Sequence, residues 1–524
     1  MAKWFNTTGP CIPEKHYMVD LNEKLKKIKR MIDREFYFTI NRGRQYGKTT
    51  IIASLERYLA ADYTVISLSF QGFDEDNFLT SESFCQEFLR AASEELKSSG
   101  KATGWMDESV KNFSDLSRHL TKQCRDKKIV LMIDEVDQAS NHRVFLNFLG
   151  ILRDKFIERS KGKDFTFHSV ILVGVYDVKN IKLKMIQSGA HTLQEGEKQV
   201  NSPWNIAEQF KVDISFSESE IVGMLEDYES EHQTGMNVGE VASKIYFYTN
   251  GYPVLVSSLC RYLDEELEEQ WDVEGVEEAV RRLVRETENE LFKSLSQKLE
   301  NNEEIRDLLY DVLISGVRRS FSVYNTSLGL AYRYSYIKEI KGRVKISNRI
   351  FEIVMLDYFI SKDESRKDAV ANGGYIAEIT RDGKFNMPLC LERFLVHWQE
   401  IYSEKDGKFL ERHCRMIFLS YLKPILNGVG FSFIETAFTD DRRMDLIVIY
   451  NNERFVLELK IWKGLLYNEE GCEQLLGYLE TLSEEKGYLL TFDFRKKPVP
   501  FEPEWTTHGQ RQIFEARVFS SPFR

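Results

Sequence analysis

The stretch Phe36–Ala53, FYFTINRGRQYGKTTIIA, constrains the fold of this chain more than any other. Its aromatic and β-branched start predicts a buried strand over Phe36–Ile40, followed by a polar loop over Asn41–Gly47 and a helix that Lys48 opens. A tight loop between a strand and a helix wraps phosphates with backbone N–H groups, and the helix N-terminus favours anions. The stretch therefore predicts a nucleotide-phosphate site in an α/β fold.

The loop matches most of the Walker A pattern G-x-x-x-x-G-K-[ST]. Arg42 stands where the first glycine belongs, and Gly43 follows one place late. A strand, turn and helix that contain GKTT by coincidence would give the same letters, so the assignment depends on a second motif. In the ATP interpretation, the lysine reaches the β- and γ-phosphates and the threonine hydroxyl binds Mg²⁺. The predicted nucleotide contacts in this loop are Arg42, Gly43, Gly47, Lys48, Thr49 and Thr50.

The second motif is Ile129–Asp137, IVLMIDEVD, which resembles a Walker B strand because an apolar run ends at Asp134 and Glu135. Ligands bind at the carboxyl ends of the strands in open α/β sheets. We therefore predict that Asp134 holds Mg²⁺ and that Glu135 polarises the attacking water. A core strand followed by a helix-capping acid is the alternative, and the upstream GKTT favours the ATPase interpretation.

Length and composition limit the classes of protein to which this chain can belong. The 524 residues suggest three or four domains at about 150 residues each. No apolar run approaches the roughly 18 residues of a membrane span, and the N-terminus lacks a signal-peptide core, so we expect no membrane partner. Seven scattered cysteines without a C-x-x-C pair suit a reducing cytoplasm. The net charge of −11 disfavours indiscriminate nucleic-acid binding and leaves room for a local basic groove.

Strands alternate with helices as far as Phe216, which predicts a parallel sheet covered on both faces, with Val212–Phe216 as its last strand. Helices dominate after it. In the segment NGYP, Gly251 ends one predicted helix and Pro253 starts the next. This segment resembles the G-x-P turn of STAND-type and related AAA-like ATPases, and the resemblance implies that Gly251 and Pro253 contact the adenine. A plain helix–helix turn is equally open.

A predicted hairpin near the C-terminus carries a second group of polar residues. Asp445–Tyr450 and Glu453–Lys460 read as its strands. A two-residue turn would place Asp445 opposite Glu458, and a four-residue turn would place it opposite Lys460. Two carboxylates and an amine converge in both registers, flanked by apolar residues that favour a central hairpin over a surface Glu–Lys pair.

Two carboxylates buried together need a cation, so this group predicts a Mg²⁺ or Mn²⁺ site. Lys460 would orient a water or stabilise charge on a phosphate, which is the chemistry of a phosphodiester hydrolase. Further candidate phosphate contacts are Arg495–Lys497 and Arg442–Arg443. Solvated surface charge is an equally open interpretation of both basic runs.

Asp445, Glu458 and Lys460 resemble the D…E-x-K signature of the PD-(D/E)XK nuclease superfamily. In the helix that follows, Gln474 and Tyr478 resemble the Q-x-x-x-Y element of RecB-like members, and the resemblance implies that both belong to the catalytic site. Nearly the whole chain is similar to a widespread bacterial family of AAA-like ATP-binding proteins. The segments that carry this similarity are TGPCIPEKHYMVD, NRGRQYGKTT, SPWNI, FLSYLKPILNGVGF and RRMDLIVIYNNERFVLELKIWKG.

These resemblances imply an α/β protein with an N-terminal P-loop ATPase and a C-terminal PD-(D/E)XK nuclease-like domain. The predicted domains are an AAA-like ATPase core over 1–216, a helical lid over 217–300, a winged-helix unit over 301–360, a linker and helix over 361–404, and the nuclease-like domain over 405–524. We predict an ATP-regulated nuclease that acts on DNA rather than RNA, with a role in defence against foreign nucleic acid. An arginine finger acting in trans would require a homo-oligomer. A signalling or scaffold ATPase that binds without cutting is the alternative, and a helicase-like motor ranks last.

Overall fold

A computed structural model describes residues 3–100, 104–139, 142–174, 204–313, 319–322, 324–364, 378–401, 407–426, 429–435, 445–462, 465–495 and 499–519. The chain forms two compact units. The first comprises Met1–Val238 with Gly251–Arg261, and the second comprises Gly239–Asn250 with Tyr262–Arg524. Within the described ranges, every helix is too short or too polar to cross a lipid bilayer.

The regular elements follow one another as helices and strands in both units. The helices are α1 Asn22–Asp33, α2 Lys48–Leu59, α3 Ser81–Ser98, α4 Phe113–Cys124, α5 Arg143–Ser160, α6 Glu218–His232, α7 Val238–Thr249, α8 Pro253–Arg261, α9 Val273–Arg285, α10 Glu290–Asn301, α11 Glu303–Leu313, α12 Thr326–Arg333, α13 Arg349–Glu364, α14 Met387–Ile401, α15 Gly407–Leu426 and α16 Leu465–Thr481. The strands are β1 Tyr37–Asn41, β2 Thr64–Ser69, β3 Ile129–Asp134, β4 Ser169–Gly174, β5 Ile337–Ile340, β6 Arg343–Ile346, β7 Gly430–Glu435, β8 Asp445–Tyr450, β9 Glu453–Ile461, β10 Lys486–Asp493, β11 Glu504–His508 and β12 Arg511–Phe519.

The first unit contains the predicted parallel sheet. Its four strands lie in the order β1-β4-β3-β2, and each neighbouring pair is parallel. Strands β3 and β4 are buried along their whole length, in agreement with their apolar runs Ile129–Ile133 and Val170–Val173. A large apolar cluster joins this sheet to α3, α4 and α5. The carboxyl ends of β1 and β3, which carry the two ATP motifs, therefore open on the same edge of the sheet.

The predicted strand over Val212–Phe216 is wrong. Val212 and Ile214 are buried in alternation, which is the pattern of a strand, but the segment is irregular and pairs with none of the described strands. The Asp213 carboxylate accepts the Ser215 N–H at 3.0 Å, and the Phe216 N–H bonds to the Gly251 carbonyl at 2.8 Å. A carboxylate within the segment and the Gly251 carbonyl thus take the place of the strand partner that a sheet would supply.

The sequence pattern predicts a single helix over Val273–Phe292 in the second unit. The expected helix Val273–Phe292 is split into α9 and α10, because the Asn289 side chain accepts the N–H groups of Leu291 and Phe292 and starts a new helix. The stretch Tyr336–Ile346 predicts a β-hairpin that turns at Lys341–Gly342, and strands β5 and β6 form this hairpin. Residues 365–377 of the predicted linker lie outside the described part of the structure.

A six-stranded sheet of order β11-β12-β10-β9-β8-β7 occupies the C-terminal part of the second unit. Strands β9, β10 and β12 are parallel, whereas the pairs β7–β8, β8–β9 and β11–β12 are antiparallel. One face packs against α16, and on the other face the α14 residue Trp398 lies 5.4 Å from Phe492. Both central residues of the β8–β9 turn, Asn451 and Asn452, have positive φ, which identifies a two-residue type I′ turn.

Candidate functional site

The phosphate loop of the first unit ends at Gly47, whose φ of 77° requires the left-handed backbone that glycine adopts easily. Helix α2 begins at the next residue, Lys48. Its ammonium group donates hydrogen bonds to the Gly43 carbonyl at 2.8 Å and the Arg42 carbonyl at 3.2 Å. Burial lowers the pKa of Lys48, and the nearby carboxylates of Glu135 and Asp134 oppose that shift. Charged phosphate oxygens would be stronger acceptors for this ammonium than the loop carbonyls are.

The two ATP motifs meet at one hydrogen bond. The Thr49 hydroxyl donates to an Asp134 carboxylate oxygen at 3.0 Å. The other Asp134 oxygen accepts the N–H of Glu135 at 2.8 Å. A hydroxyl and a carboxylate are oxygen ligands of the kind that Mg²⁺ prefers, so these two residues can hold the ion that accompanies a nucleotide.

Glu135 occupies an unusual backbone conformation at the end of β3. Its φ is 53°, in the left-handed region that few residues other than glycine adopt. Burial and the adjacent Asp134 carboxylate raise its pKa, while Lys48 acts in the opposite direction. A carboxylate made more basic in this way is suited to polarise a water molecule.

Arg42 and Thr50 have structural partners beside the loop. The Arg42 N–H donates to the Gly174 carbonyl at the end of β4, and its guanidinium donates to the Asn41 carbonyl. The Thr50 hydroxyl accepts the Cys11 N–H at 3.1 Å. The N-terminal segment therefore lies against α2, and the predicted nucleotide contacts of Arg42 and Thr50 remain predictions.

Gly251 is required by its surroundings. Its φ is 71°, and a Cβ at this position would lie 1.8 Å from the Phe216 carbonyl oxygen. The Gly251 carbonyl accepts the Phe216 N–H at 2.8 Å. Every residue other than glycine would therefore have to displace the backbone of the preceding segment.

The turn after Gly251 contacts the phosphate loop. Pro253 Cγ lies 3.6 Å from the place where a Cβ on Gly47 would stand. The Tyr252 hydroxyl donates to the Arg44 carbonyl at 2.6 Å, and its ring packs edge-on against Tyr46 with centroids 4.7 Å apart. The sequence singled out Gly251 and Pro253 but missed Tyr252, for which the only signal is an aromatic residue inside the NGYP turn.

In the second unit, Glu458 and Lys460 form a buried ion pair on the six-stranded sheet. Their side chains are 1% and 5% exposed, and Lys460 Nζ lies 2.8 Å from Glu458 Oε1. The same ammonium donates to Gln474 Oε1 on α16 at 2.7 Å. Gly471 on that helix leaves room for the lysine stem, because a Cβ there would lie 3.3 Å from Lys460 Cε.

The β8–β9 register decides between the two turns that the sequence left open. Leu446 pairs with Leu457 and Tyr450 with Glu453, so the backbone of Asp445 is opposite that of Glu458 one step further. The alternative that placed Asp445 opposite Lys460 is wrong, because the turn holds only two residues. The Asp445 side chain and the whole of Arg442–Arg443 lie outside the described part of the structure.

Tyr478 and Arg495 contact residues other than the Glu458–Lys460 pair. Tyr478 is one turn beyond Gln474 on α16 and packs against an apolar cluster that contains Val456 and Leu489. The Arg495 guanidinium is paired with the buried Asp493 carboxylate, with a shortest distance of 2.6 Å. The structure thus brings Glu458, Lys460 and Gln474 together directly.

A strand–loop–helix with a buried lysine, followed by a threonine that contacts a strand-end aspartate, defines the class of P-loop nucleotide-binding proteins. The family described as "AAA-like domain" matches residues 15–315, more than half of the chain, and this protein belongs to that family. ATP binding and an ATPase type of function follow from this membership, and Mg²⁺ is the usual companion of the nucleotide. The match ends before the six-stranded sheet.

Three solved structures are similar to this chain. A Walker-type ATPase of Pyrococcus abyssi has 12% identity and a TM-score of 0.46, and the match covers 67% of this chain and 99% of that one. The ORC2 protein of Aeropyrum pernix with ADPNP and ADP has 11% identity and a TM-score of 0.33, with 66% and 94% covered. A RuvB mutant of Thermogota maritima has 12% identity and a TM-score of 0.31, with 62% and 92% covered. A search among curated proteins returned no match.

Proposed function

We propose that this protein is an ATPase that controls a metal-dependent phosphodiester-cleaving site in its C-terminal part. The observation that carries the proposal is the buried pair Glu458–Lys460, held by Gln474, with the backbone of Asp445 opposite Glu458. A buried ion pair on a central sheet is costly to maintain for stability alone, because hydrophobic residues of similar volume often stabilise as much or more. A catalytic role would explain why Glu458 and Lys460 occupy these buried positions in place of hydrophobic residues.

At the ATP site, each motif residue has a chemical role in the proposal. Lys48 binds the β- and γ-phosphates once they replace the loop carbonyls as its acceptors. Thr49 and Asp134 hold Mg²⁺, and Glu135 orients and polarises the water that attacks the γ-phosphate. The turn Gly251–Pro253 contacts the phosphate loop at Gly47 and Arg44, which supports its proposed position beside the adenine.

At the C-terminal site, Asp445 and Glu458 would hold Mg²⁺ or Mn²⁺. The fit rests on the nearly complete burial of Glu458 and on the backbone of Asp445 opposite it, because two carboxylates brought together away from water are stabilised by positive charge between them. A bound divalent ion would lower the pKa of a water and polarise the phosphodiester. Lys460 stabilises negative charge on the phosphate, and Gln474 fixes the position of the ammonium group through its amide oxygen.

The wider assignment is part of the same proposal. The resemblance to PD-(D/E)XK nucleases and STAND-type ATPases supports a nuclease-like domain over 405–524, a helical lid over 217–300 and a winged-helix unit over 301–360. Tyr478 would support the site through α16. The substrate would be DNA rather than RNA, in the cytoplasm of a bacterium and in defence against foreign nucleic acid. A homo-oligomer would form if an arginine finger acts in trans.

The test is a cleavage assay on the full-length protein with supercoiled plasmid, single-stranded DNA and RNA, with Mg²⁺ or Mn²⁺ and with or without ATP. We expect Glu458→Gln and Asp445→Ala to abolish cutting. Glu453→Gln changes an exposed acid at the start of the same strand and should leave cutting intact. Lys48→Ala should remove the dependence on ATP. Cutting that survives Glu458→Gln, or ATP hydrolysis without any cutting, would refute the nuclease and favour a signalling ATPase.

A further inference from the structure

A second polar position lies on the same face of the six-stranded sheet as Lys460. The parallel registers align Lys460 of β9 with Thr491 of β10, and Thr491 with Arg517 of β12. Residues aligned across neighbouring strands point to the same face, and each strand is about 4.8 Å from the next. Arg517 is therefore two strands, about 10 Å, from Lys460 and on its side of the sheet.

Arg517 is a buried guanidinium held by aromatic rings. It is 9% exposed, and its central carbon lies 4.1 Å from the Trp462 ring centroid and 4.3 Å from that of Phe501. Among the described residues, none accepts a hydrogen bond from Arg517, and its Nε is buried. Aromatic faces stabilise such a cation but leave its N–H groups without acceptors.

A second guanidinium shares the indole ring. The central carbon of Arg495 lies 4.8 Å from the Trp462 centroid, and its N–H groups bond to the buried Asp493 carboxylate. The Arg495 guanidinium therefore has a carboxylate partner, whereas Arg517 forms no ion pair with a described residue. Burial lowers the pKa of Arg517 in spite of the opposing effects of Asp493 and Glu515.

We propose that Arg517, stacked between Trp462 and Phe501 and flanked by Arg495, binds a backbone phosphate of the nucleic acid that the Glu458–Lys460 site cleaves. This inference rests on the proposed function for the substrate class, and it adds the residue that positions the strand. A planar guanidinium can bind two phosphate oxygens at once, which makes arginine better suited to the position than lysine. A separation of about 10 Å from Lys460 corresponds to one or two nucleotides, since successive phosphates of one nucleic-acid chain are a few ångströms apart.

The test measures DNA binding separately from cleavage. A fluorescein-labelled single-stranded oligodeoxynucleotide and the matching duplex are titrated with the full-length protein in EDTA, at several salt concentrations. Removing one phosphate contact should weaken binding about tenfold or more and lower the salt slope by about one in Arg517→Gln. Arg517→Lys should lie between the wild type and Arg517→Gln. Arg511→Gln, at the other end of β12, is the matched control and should bind as the wild type does.

The possible outcomes separate this inference from the proposed nuclease. Unchanged affinity and salt slope in Arg517→Gln, or no DNA binding by the wild-type protein, would overturn the phosphate site even if plasmid cutting depends on Glu458. Weakened binding without any cutting would support the phosphate site and refute the nuclease. Thermal unfolding is expected to show an Arg517→Gln protein at least as stable as the wild type, because the substitution removes a buried charge that no described carboxylate pairs with. If Arg517→Gln is less stable than the wild type, its DNA affinity is measured at a temperature at which it is fully folded. Wild-type affinity at that temperature would also overturn the site.

Discussion

The Tyr252 hydroxyl donates a 2.6 Å hydrogen bond to the Arg44 carbonyl and so joins the Gly251–Pro253 turn to the phosphate loop. The loop must hold its backbone in position to bind phosphates, and this bond supports it from a residue more than two hundred positions away in the sequence. The relationship leads to the first prediction.

Tyr252→Phe removes the hydroxyl and keeps the ring that packs against Tyr46. Because a hydrogen bond of this kind contributes about 0.5–1.5 kcal/mol, we expect ATP to bind about twofold to tenfold more weakly. Isothermal titration with ATP and Mg²⁺ measures the change. Tyr324→Phe, at a residue that is 94% exposed, is the matched control and should not alter the affinity. Equal affinities for both variants would show that the bond does not support the loop.

Gly251→Ala should destabilise the protein strongly, because its Cβ would overlap the Phe216 carbonyl oxygen and its φ is positive. We expect a loss of more than about 2 kcal/mol in the free energy of unfolding of the first unit. Gly223→Ala is the control, since this glycine is at an exposed position of α6 with open space around it, and alanine should stabilise that helix by about 0.5–1 kcal/mol. Denaturant titrations of both variants compare the signs. A Gly251→Ala protein as stable as the wild type would contradict the packing at Gly251.

The acids Glu56 on α2 and Glu95 on α3 predict a dependence of stability on pH. Burial, followed by the nearby Glu56 carboxylate, raises the pKa of Glu95 from 4.5 to about 7. A carboxyl with a raised native pKa binds its proton more tightly when folded, so the free energy of unfolding falls as the pH rises from 4.5 to about 7. Allowing for solvent screening at these partly exposed side chains, the effect should be about 1–2 kcal/mol.

Glu95→Gln should remove this dependence and should be more stable than the wild type at pH 8. Urea titrations at pH 5 and pH 8 measure the difference, and Glu108→Gln at an exposed acid serves as the control. A Glu95→Gln protein that loses stability between pH 5 and pH 8 as steeply as the wild type would rule out this carboxyl pair as the cause.

Lys460→Met should destabilise the second unit, because the Glu458 charge would remain buried without the ammonium group. Breaking a buried pair from one side costs about 3–5 kcal/mol, whereas replacing both partners is often close to neutral. We therefore expect the double variant Glu458→Gln/Lys460→Met to recover most of the stability that Lys460→Met loses. A double-mutant cycle measured by thermal unfolding gives the coupling. Additive losses would mean that the two side chains do not stabilise each other.

Much of the fold could be predicted because its signals are local. The short turn at Asn451–Asn452 meant that Asp445 had to be opposite either Glu458 or Lys460. Side chains alternate along a strand, so Glu458 and Lys460 had to lie on one face of the sheet, as they do. The GKTT loop and the acid at the end of β3 likewise predicted a contact that the structure contains, between Thr49 and Asp134.

The failures have physical causes that a local pattern does not report. Val212 and Ile214 alternate as a strand does, but alternation shows which side chains are buried and not whether a neighbouring strand is present. The bond from Tyr252 to Arg44 and the stacking of Arg517 on Trp462 join residues that are distant in sequence. Only the folded chain reveals such pairs.

The two-residue turn between β8 and β9 makes the C-terminal site depend on whether the number of residues between the turn and Glu458 changes by an even or an odd amount. Because side chains alternate along a strand, one residue inserted between the turn and Glu458 would send Glu458 and Lys460 to the opposite face, among the apolar residues that contact α14. Two inserted residues would return them to the correct face, displaced along the strand relative to Asp445. Homologous sequences that keep the site should therefore differ here only by insertions or deletions of an even number of residues. An insertion or deletion of an odd number would indicate that the site has lost its activity.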